Sequence, residues 1–125
     1  MVPKNRTKLS EHFEAWEFEC PCCGQLPEQG MSQELLSRLE ALRARIGRPV
    51  NVSSGYRCPK RNAQLANAAP ESLHLTGEAA DIWVAGMDPP AVLLHAHAVG
   101  FTGLGLYRTH VHVDVRPNLA AWDAR

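Results

Sequence analysis

Ser72-Leu73-His74-Leu75-Thr76-Gly77-Glu78-Ala79-Ala80-Asp81, followed nearer the C-terminus by His110-Val111-His112-Val113-Asp114, decides how this chain is read. Together the two stretches offer an imidazole, a carboxylate and a second imidazole, the donor types of a catalytic zinc site. Three protein donors leave the fourth position of a tetrahedral zinc open to water, and such an ion lowers the pKa of that water to about 7. Hydroxide is then available at neutral pH, so the chemistry expected of these residues is hydrolysis.

The flanking patterns place these side chains on strands. His110, His112 and Asp114 share one face of an extended segment, while Val111, Val113 and Val115 share the other. Three valines make a core face, so the polar face must look into a cleft or into water. An exposed strand with chance histidines is the plain alternative, but a solvent face more often carries Lys, Thr or Glu. Residues 79–84 repeat the pattern, with Ala79, Asp81 and Trp83 on one face and Ala80, Ile82 and Val84 on the other. Gly77 permits a sharp turn between His74 and Asp81. The six intervening residues then bring both side chains to one point.

Working outward, Ser32 reads as an N-cap, and Leu35, Leu39, Leu42 and Ile46 follow as a helical core stripe. Gly47 and Pro49 stop that helix. Residues 50–53 alternate as a strand that Gly55 ends. Pro59 opens a second helix running through Ala63, Leu65 and Ala66, and residues 68–76 form a loop carrying His74. Asp88 caps a third helix opened by Pro89 or Pro90 and closed by Gly100. Residues 103–107 and 110–115 read as paired strands around a turn at Arg108 and Thr109. Trp122 in the tail is an anchor on the domain. Residues 9–18 show no clean period and read as an arm laid down by Phe13, Trp16 and Phe18, with a turn at residues 27–30. The expected class is α+β, a small antiparallel sheet flanked by about three helices.

The length of 125 residues suits one domain, divided here into an arm with a cysteine knuckle (1–30) and a core (31–117). Apolar residues make up 45% and charged residues 21%, as in a folded globular protein. With 13 basic and 13 acidic side chains the formal charge is zero, and the basic excess of a nucleic-acid binder is missing. No apolar run approaches the ~20 residues of a membrane span. No apolar segment follows the basic N-terminus, so the expectation is synthesis in the cytoplasm without a signal peptide. Nothing suggests a coiled coil, and a monomer is expected.

Ser72-x-His74-x-x-Gly77-x-Ala79-x-Asp81 with a later His-Val-Asp resembles the zinc D-alanyl-D-alanine carboxypeptidase family of peptidoglycan peptidases. Ser54-Gly55-Tyr56-Arg57-Cys58-Pro59 and Gly103-Leu104-Gly105-Leu106-Tyr107 are similar to segments of the same family, and the resemblance covers roughly residues 35–117. It implies a hedgehog/DD-peptidase-like fold, with zinc bound by His74, Asp81 and His112. It also implies a peptidoglycan stem peptide as substrate, cut at the terminal D-Ala-D-Ala bond or, as in related phage enzymes, at an internal bond such as L-Ala-D-Glu. Hedgehog signalling domains share the fold, so a non-catalytic, zinc-stabilised cell-wall-binding module is the alternative from another class.

A zinc peptidase needs a group that takes a proton from water and hands it to the leaving amine. Many relatives place a Glu three residues before the last ligand, where this chain has Thr109. The carboxypeptidase-type relatives carry His-x-His, which makes His110 the acid/base candidate and Asp114 its rival or a partner that orients a ligand imidazole. Arg57 resembles the family arginine that faces the metal, where it steadies an oxyanion or grips a carboxylate; a surface salt bridge is its plain reading. Ser72 either contacts substrate or shapes its loop. Tyr107 packs, with its hydroxyl at the cleft edge. His95 and His97 are two apart on a helix and do not face each other, so at least one is expected in solvent and neither on a metal.

Cys20, Cys22 and Cys23 cluster, and Cys58 lies apart. Three readings stay open: a disulfide from the cluster to Cys58, a second, structural zinc on some or all four thiolates, or free thiols. A nucleophilic cysteine partnered by His74 or His110 is a fourth, enzymatic reading. Size and the lack of an export signal point, by analogy, to a phage or prophage lysis enzyme, an endolysin acting at the bacterial cell wall.

Overall fold

The computed structural model describes residues 4–65 and 72–125. A two-stranded hairpin, β1 (Lys8–Ser10) with β2 (Phe13–Glu14), begins the described chain, and a short 3-10 turn (Ala15–Glu17) follows. Next come α1 (Gln33–Ile46), β3 (Asn51–Ser54), α2 (Pro59–Gln64), a 3-10 turn (Leu73–Thr76) and β4 (Ala79–Trp83). The chain ends with α3 (Pro89–Ala98), β5 (Gly103–Leu106), β6 (Val111–Asp114) and β7 (Ala120–Asp123). The class is α+β, as expected.

The five-stranded sheet has the order β3-β4-β6-β5-β7. It is antiparallel through its first four strands, but β7 joins β5 in parallel, which corrects the all-antiparallel expectation. Trp122 does anchor the tail, and it does so from a strand. Residues 120–123 alternate between half-buried and exposed positions, but the sequence Ala-Ala-Trp-Asp carries no matching apolar alternation.

The sheet divides the molecule's chemistry by face. Directly opposed residues on neighbouring strands lie on the same face. Ile82, Val111 and Leu106 form one row across β4, β6 and β5, and Ala80, Val113 and Leu104 form the next. These rows meet α1 and α3 in a core that holds Leu35, Leu36, Leu39, Leu42, Val92, Ala96 and Phe101. Phe13 and Phe18 are buried in the same core, so they lay the arm down as expected, whereas Trp16 stays half-buried with Lys4 over its ring.

On the opposite face one row runs Asp81, His112, Gly105, Trp122, and the next runs Ala79, Asp114, Gly103, Ala120. The two glycines make the polar row possible. A Cβ on Gly105 would meet the Trp122 indole at 2.6 Å, and one on Gly103 would fall directly on the Asp114 carboxylate. Because β5 presents only hydrogen there, Trp122 can lie over the sheet and Asp114 can be fully buried.

Local boundaries follow the capping chemistry. The Ser32 hydroxyl accepts from Leu35 N–H at 3.2 Å, and Gly47 closes α1 in the left-handed conformation. Asp88 occupies the N-cap of α3 but makes no side-chain cap, which corrects that expectation. An N-cap oxygen normally accepts from the second or third helical N–H, and Pro90 has removed one of the two. The helix closes at Val99, one residue before Gly100. α2 is shorter than expected: it ends at Gln64, and Leu65 is extended. The expected residue Ala66, and residues 68–71 of the expected loop, lie outside the described residues. His74 rides on a 3-10 turn rather than a loop, and Gly77 ends that turn at φ 74°. No helix among the described residues is long and apolar enough to cross a membrane.

Gly103→Ala is expected to destabilise the fold by at least the ~1–3 kcal/mol typical of overpacking, because the new methyl displaces a buried, paired carboxylate. Chemical denaturation measures it; an unchanged midpoint would mean that β5 can shift to make room.

Candidate metal centre

β4 and β6 bring Asp81 and His112 into direct register, and the 3-10 turn delivers His74 to them. Asp81 Oδ1 stands 3.2 Å from His74 Nε2 and 3.3 Å from His112 Nδ1. All three side chains are buried, and one donor atom of each lies within 4.8 Å of the others.

The outer ring nitrogens reveal which atoms face inward with lone pairs. His74 Nδ1 lies 2.6 Å from the Gly55 carbonyl oxygen, which can only accept, so Nδ1 carries the proton. His112 Nε2 lies 2.7 Å from Asp114 Oδ2, again an acceptor. In the neutral imidazoles His74 Nε2 and His112 Nδ1 are therefore bare, and both aim at a carboxylate oxygen. Three lone pairs directed at one another inside a protein repel unless a cation or a proton stands between them. The spacing suits zinc: tetrahedral bonds of ~2.0–2.1 Å separate neighbouring donors by ~3.3–3.4 Å.

The electrostatics follow. Burial pushes the Asp81 carboxyl up, but the facing His112 and His74 imidazoles, when a proton stands in the cation's place, outweigh it and hold the group well below the usual carboxylate range. Burial pushes His112 down, and the Asp114 and Asp81 carboxylates more than reverse this, so it lies above the ordinary imidazole value. Asp114 is fully buried. Desolvation raises it, while Arg116 and His112 lower it further, leaving it firmly ionised. Arg116 grips it through Nη2–Oδ2 at 2.6 Å and Nε–Oδ1 at 2.9 Å.

The remaining expected site residues surround this group. His110 is half-buried just before β6, with Nε2 3.9 Å from Asp81 Oδ2 and its ring stacked on Tyr107 at 4.5 Å. Burial lowers its pKa, the Asp81 charge opposes this, and His112 and Arg57 lower it further, so the net shift is downward. Arg57 is no surface salt bridge. Its side chain is 13% exposed, its Nη2 donates to Asp81 Oδ2 at 3.1 Å, and its Nε donates to the Ser54 hydroxyl at 3.2 Å. The Ser72 hydroxyl accepts from His74 N–H at 3.3 Å and caps the 3-10 turn. The Tyr107 hydroxyl accepts from Trp122 Nε1 at 3.2 Å. His97 is exposed, and His95 accepts from Arg45 Nε at 3.1 Å.

Sequence reasoning missed Arg116, which clamps Asp114, and Asn62, a buried side chain whose Oδ1 accepts from Arg57 Nη1 at 3.4 Å. It also missed the Gly55 carbonyl that orients His74. Arg116 sits two residues after Asp114, a spacing that offered the one available signal.

No disulfide joins any of the four cysteines. The sulfurs of Cys20, Cys23 and Cys58 lie within 4.8 Å of one another, away from the histidines. Burial would raise the Cys20 thiol, but main-chain N–H groups of Cys58, Cys23 and Cys22 directed at the sulfur bring it down to about 7.

A family profile described as Peptidase M15 matches residues 11–115. No curated protein matches the chain. The matched segment contains the whole of the His–Asp–His group, and the α+β architecture agrees with the hedgehog/DD-peptidase-like fold. The chain belongs to the peptidase M15 family and is a zinc metallopeptidase acting on peptides.

Proposed function

We propose that His74, Asp81 and His112 hold the catalytic zinc, and that the enzyme hydrolyses peptidoglycan stem peptides as a D-Ala-D-Ala carboxypeptidase. One observation carries the ligand assignment: three buried donor atoms face one another, and the other nitrogen of each imidazole is already committed to an acceptor. The substrate rests on the resemblance of the Ser72–Asp81 motif and of the His-x-His pair to the carboxypeptidase members.

Zinc, when bound, lowers the pKa of a coordinated water to about 7 and polarises a carbonyl. The protein supplies the rest. Asp114, locked by Arg116, holds the His112 ring in the tautomer that leaves Nδ1 bare. Gly55 does the same for His74 through its carbonyl. Arg57 fixes the second oxygen of Asp81 and keeps further N–H groups for a developing oxyanion. His110 is partly accessible, and burial favours its neutral form, so its imidazole can accept a proton at the scissile bond and return it to the leaving amine. Asp114 is a poor rival as base, because it is fully buried and both its oxygens are occupied. Stacking on Tyr107, itself tied to Trp122, keeps the His110 ring in place. The site of action in this reading is the bacterial cell wall, reached through a phage lysis route.

His112→Ala is expected to abolish hydrolysis and to lose one zinc per chain by elemental analysis; a fully active variant overturns the ligand set. His110→Ala should retain its metal and lose about 10²–10⁴-fold in kcat, read by single-turnover kinetics. Mass spectrometry of defined muropeptides after digestion assigns the bond: release of terminal D-alanine supports the carboxypeptidase reading. A cut between L-Ala and D-Glu replaces it with the endopeptidase, and intact muropeptides defeat the cell-wall substrate.

A further inference from the structure

We infer that the four cysteines form a second, structural zinc site that fastens the N-terminal arm to the strip of chain behind His74 and Arg57. The inference does not depend on the reading of the His–Asp–His group, since it concerns different side chains and a different kind of site.

Three corners are already assembled. Cys20 and Cys23 come from the knuckle, Cys58 comes from the N-terminus of α2, and their sulfurs lie within 4.8 Å of one another. Tetrahedral Zn–S bonds of ~2.3 Å place sulfurs ~3.8 Å apart, so a small inward movement completes the geometry. Cys22, exposed on the same knuckle and outside that group of three, is the fourth donor once its side chain turns inward. Four protein sulfurs give a closed site, which holds structure and leaves no room for a water. The main chain supports the donors. Cys58 N–H points at Cys20 Sγ at 3.4 Å, and the knuckle is turned by Gly24 N–H to Cys20 O at 2.7 Å and by Cys20 N–H to Gln25 O at 2.9 Å.

What the clasp holds is specific. Residues 54–58 are pressed between the arm and the 3-10 turn. On the arm side Tyr56 N–H donates to Phe18 O at 2.8 Å, and Gly55 lies so close that a Cβ there would sit 2.6 Å from Phe18 Cα. On the other side the Gly55 carbonyl orients His74, and Arg57 N–H donates to His74 O at 3.1 Å. A metal joining residues 20–23 to residue 58 would close this layer at its open end, adding its binding free energy to folding.

Cobalt replacement tests the inference in the intact, reduced protein. The wild type is expected to take up two cobalt ions per chain and to show thiolate-to-cobalt charge-transfer absorption in the near ultraviolet. Cys58→Ser should lose that absorption and one ion while keeping the other. The serine hydroxyl still caps α2, where the Cys58 sulfur now accepts from Arg61 N–H at 3.5 Å. Should that variant fold poorly, Cys23→Ser, at an exposed position, gives the same readout. His112→Ala should lose one ion yet retain the charge-transfer band, so the two sites are separable. The inference is overturned if folded, reduced wild type shows no such band. It is equally overturned if all four thiols react at once with Ellman's reagent in the metal-loaded protein, or if peptide mapping finds Cys58 in a disulfide.

Discussion

A carboxylate and an imidazole, Asp81 and His112, stand opposite each other on two antiparallel strands, and the rest of the site is built to make that opposition bearable. Neither side chain can leave, because the register of β4 with β6 fixes both backbones and the valines of β6 lock that register from below. A one-residue slip would exchange the polar and apolar faces entirely. Burial therefore cannot be relieved by movement, only by a positive charge placed between the donors. Arg57, Arg116 and the Gly55 carbonyl are the supports of that arrangement: two cations that neutralise the outer oxygens, and one acceptor that keeps a proton out of the centre.

Much of this was legible in the sequence because the signals were periodic. Alternation along residues 79–84 and 110–115 placed Asp81, His112 and Asp114 on faces opposite to Ala80, Ile82, Val111 and Val113, and the helix stripe of Leu35, Leu39 and Leu42 located the core. What escaped had no local signature. The anchor at Trp122 was readable but the strand β7 that carries it was not, because Ala-Ala-Trp-Asp has no apolar alternation, and β1 and β2 are too short to show a period. Asn62 and Arg116 owe their positions to partners brought close by tertiary folding. Asp88 misled for a physical reason: its residue type fits a cap, but the prolines after it remove a donor the cap would use.

The arm is bound to the site more closely than its irregular sequence suggests. Phe13 and Phe18 enter the same core as α1, and Phe18 touches the chain just behind His74 through Gly55 and Tyr56. The imidazole nearest the N-terminal half of the molecule thus takes its orientation from a carbonyl that the arm presses into place.

The paired glycines of β5 carry a further consequence. Where Asp114 and Trp122 lie against that strand, the wall is pure main chain, and main chain offers selection nothing to adjust. A side chain at Gly103 or Gly105 would have to move Asp114 or Trp122 first, so this side of the site is held in shape by what the strand leaves out.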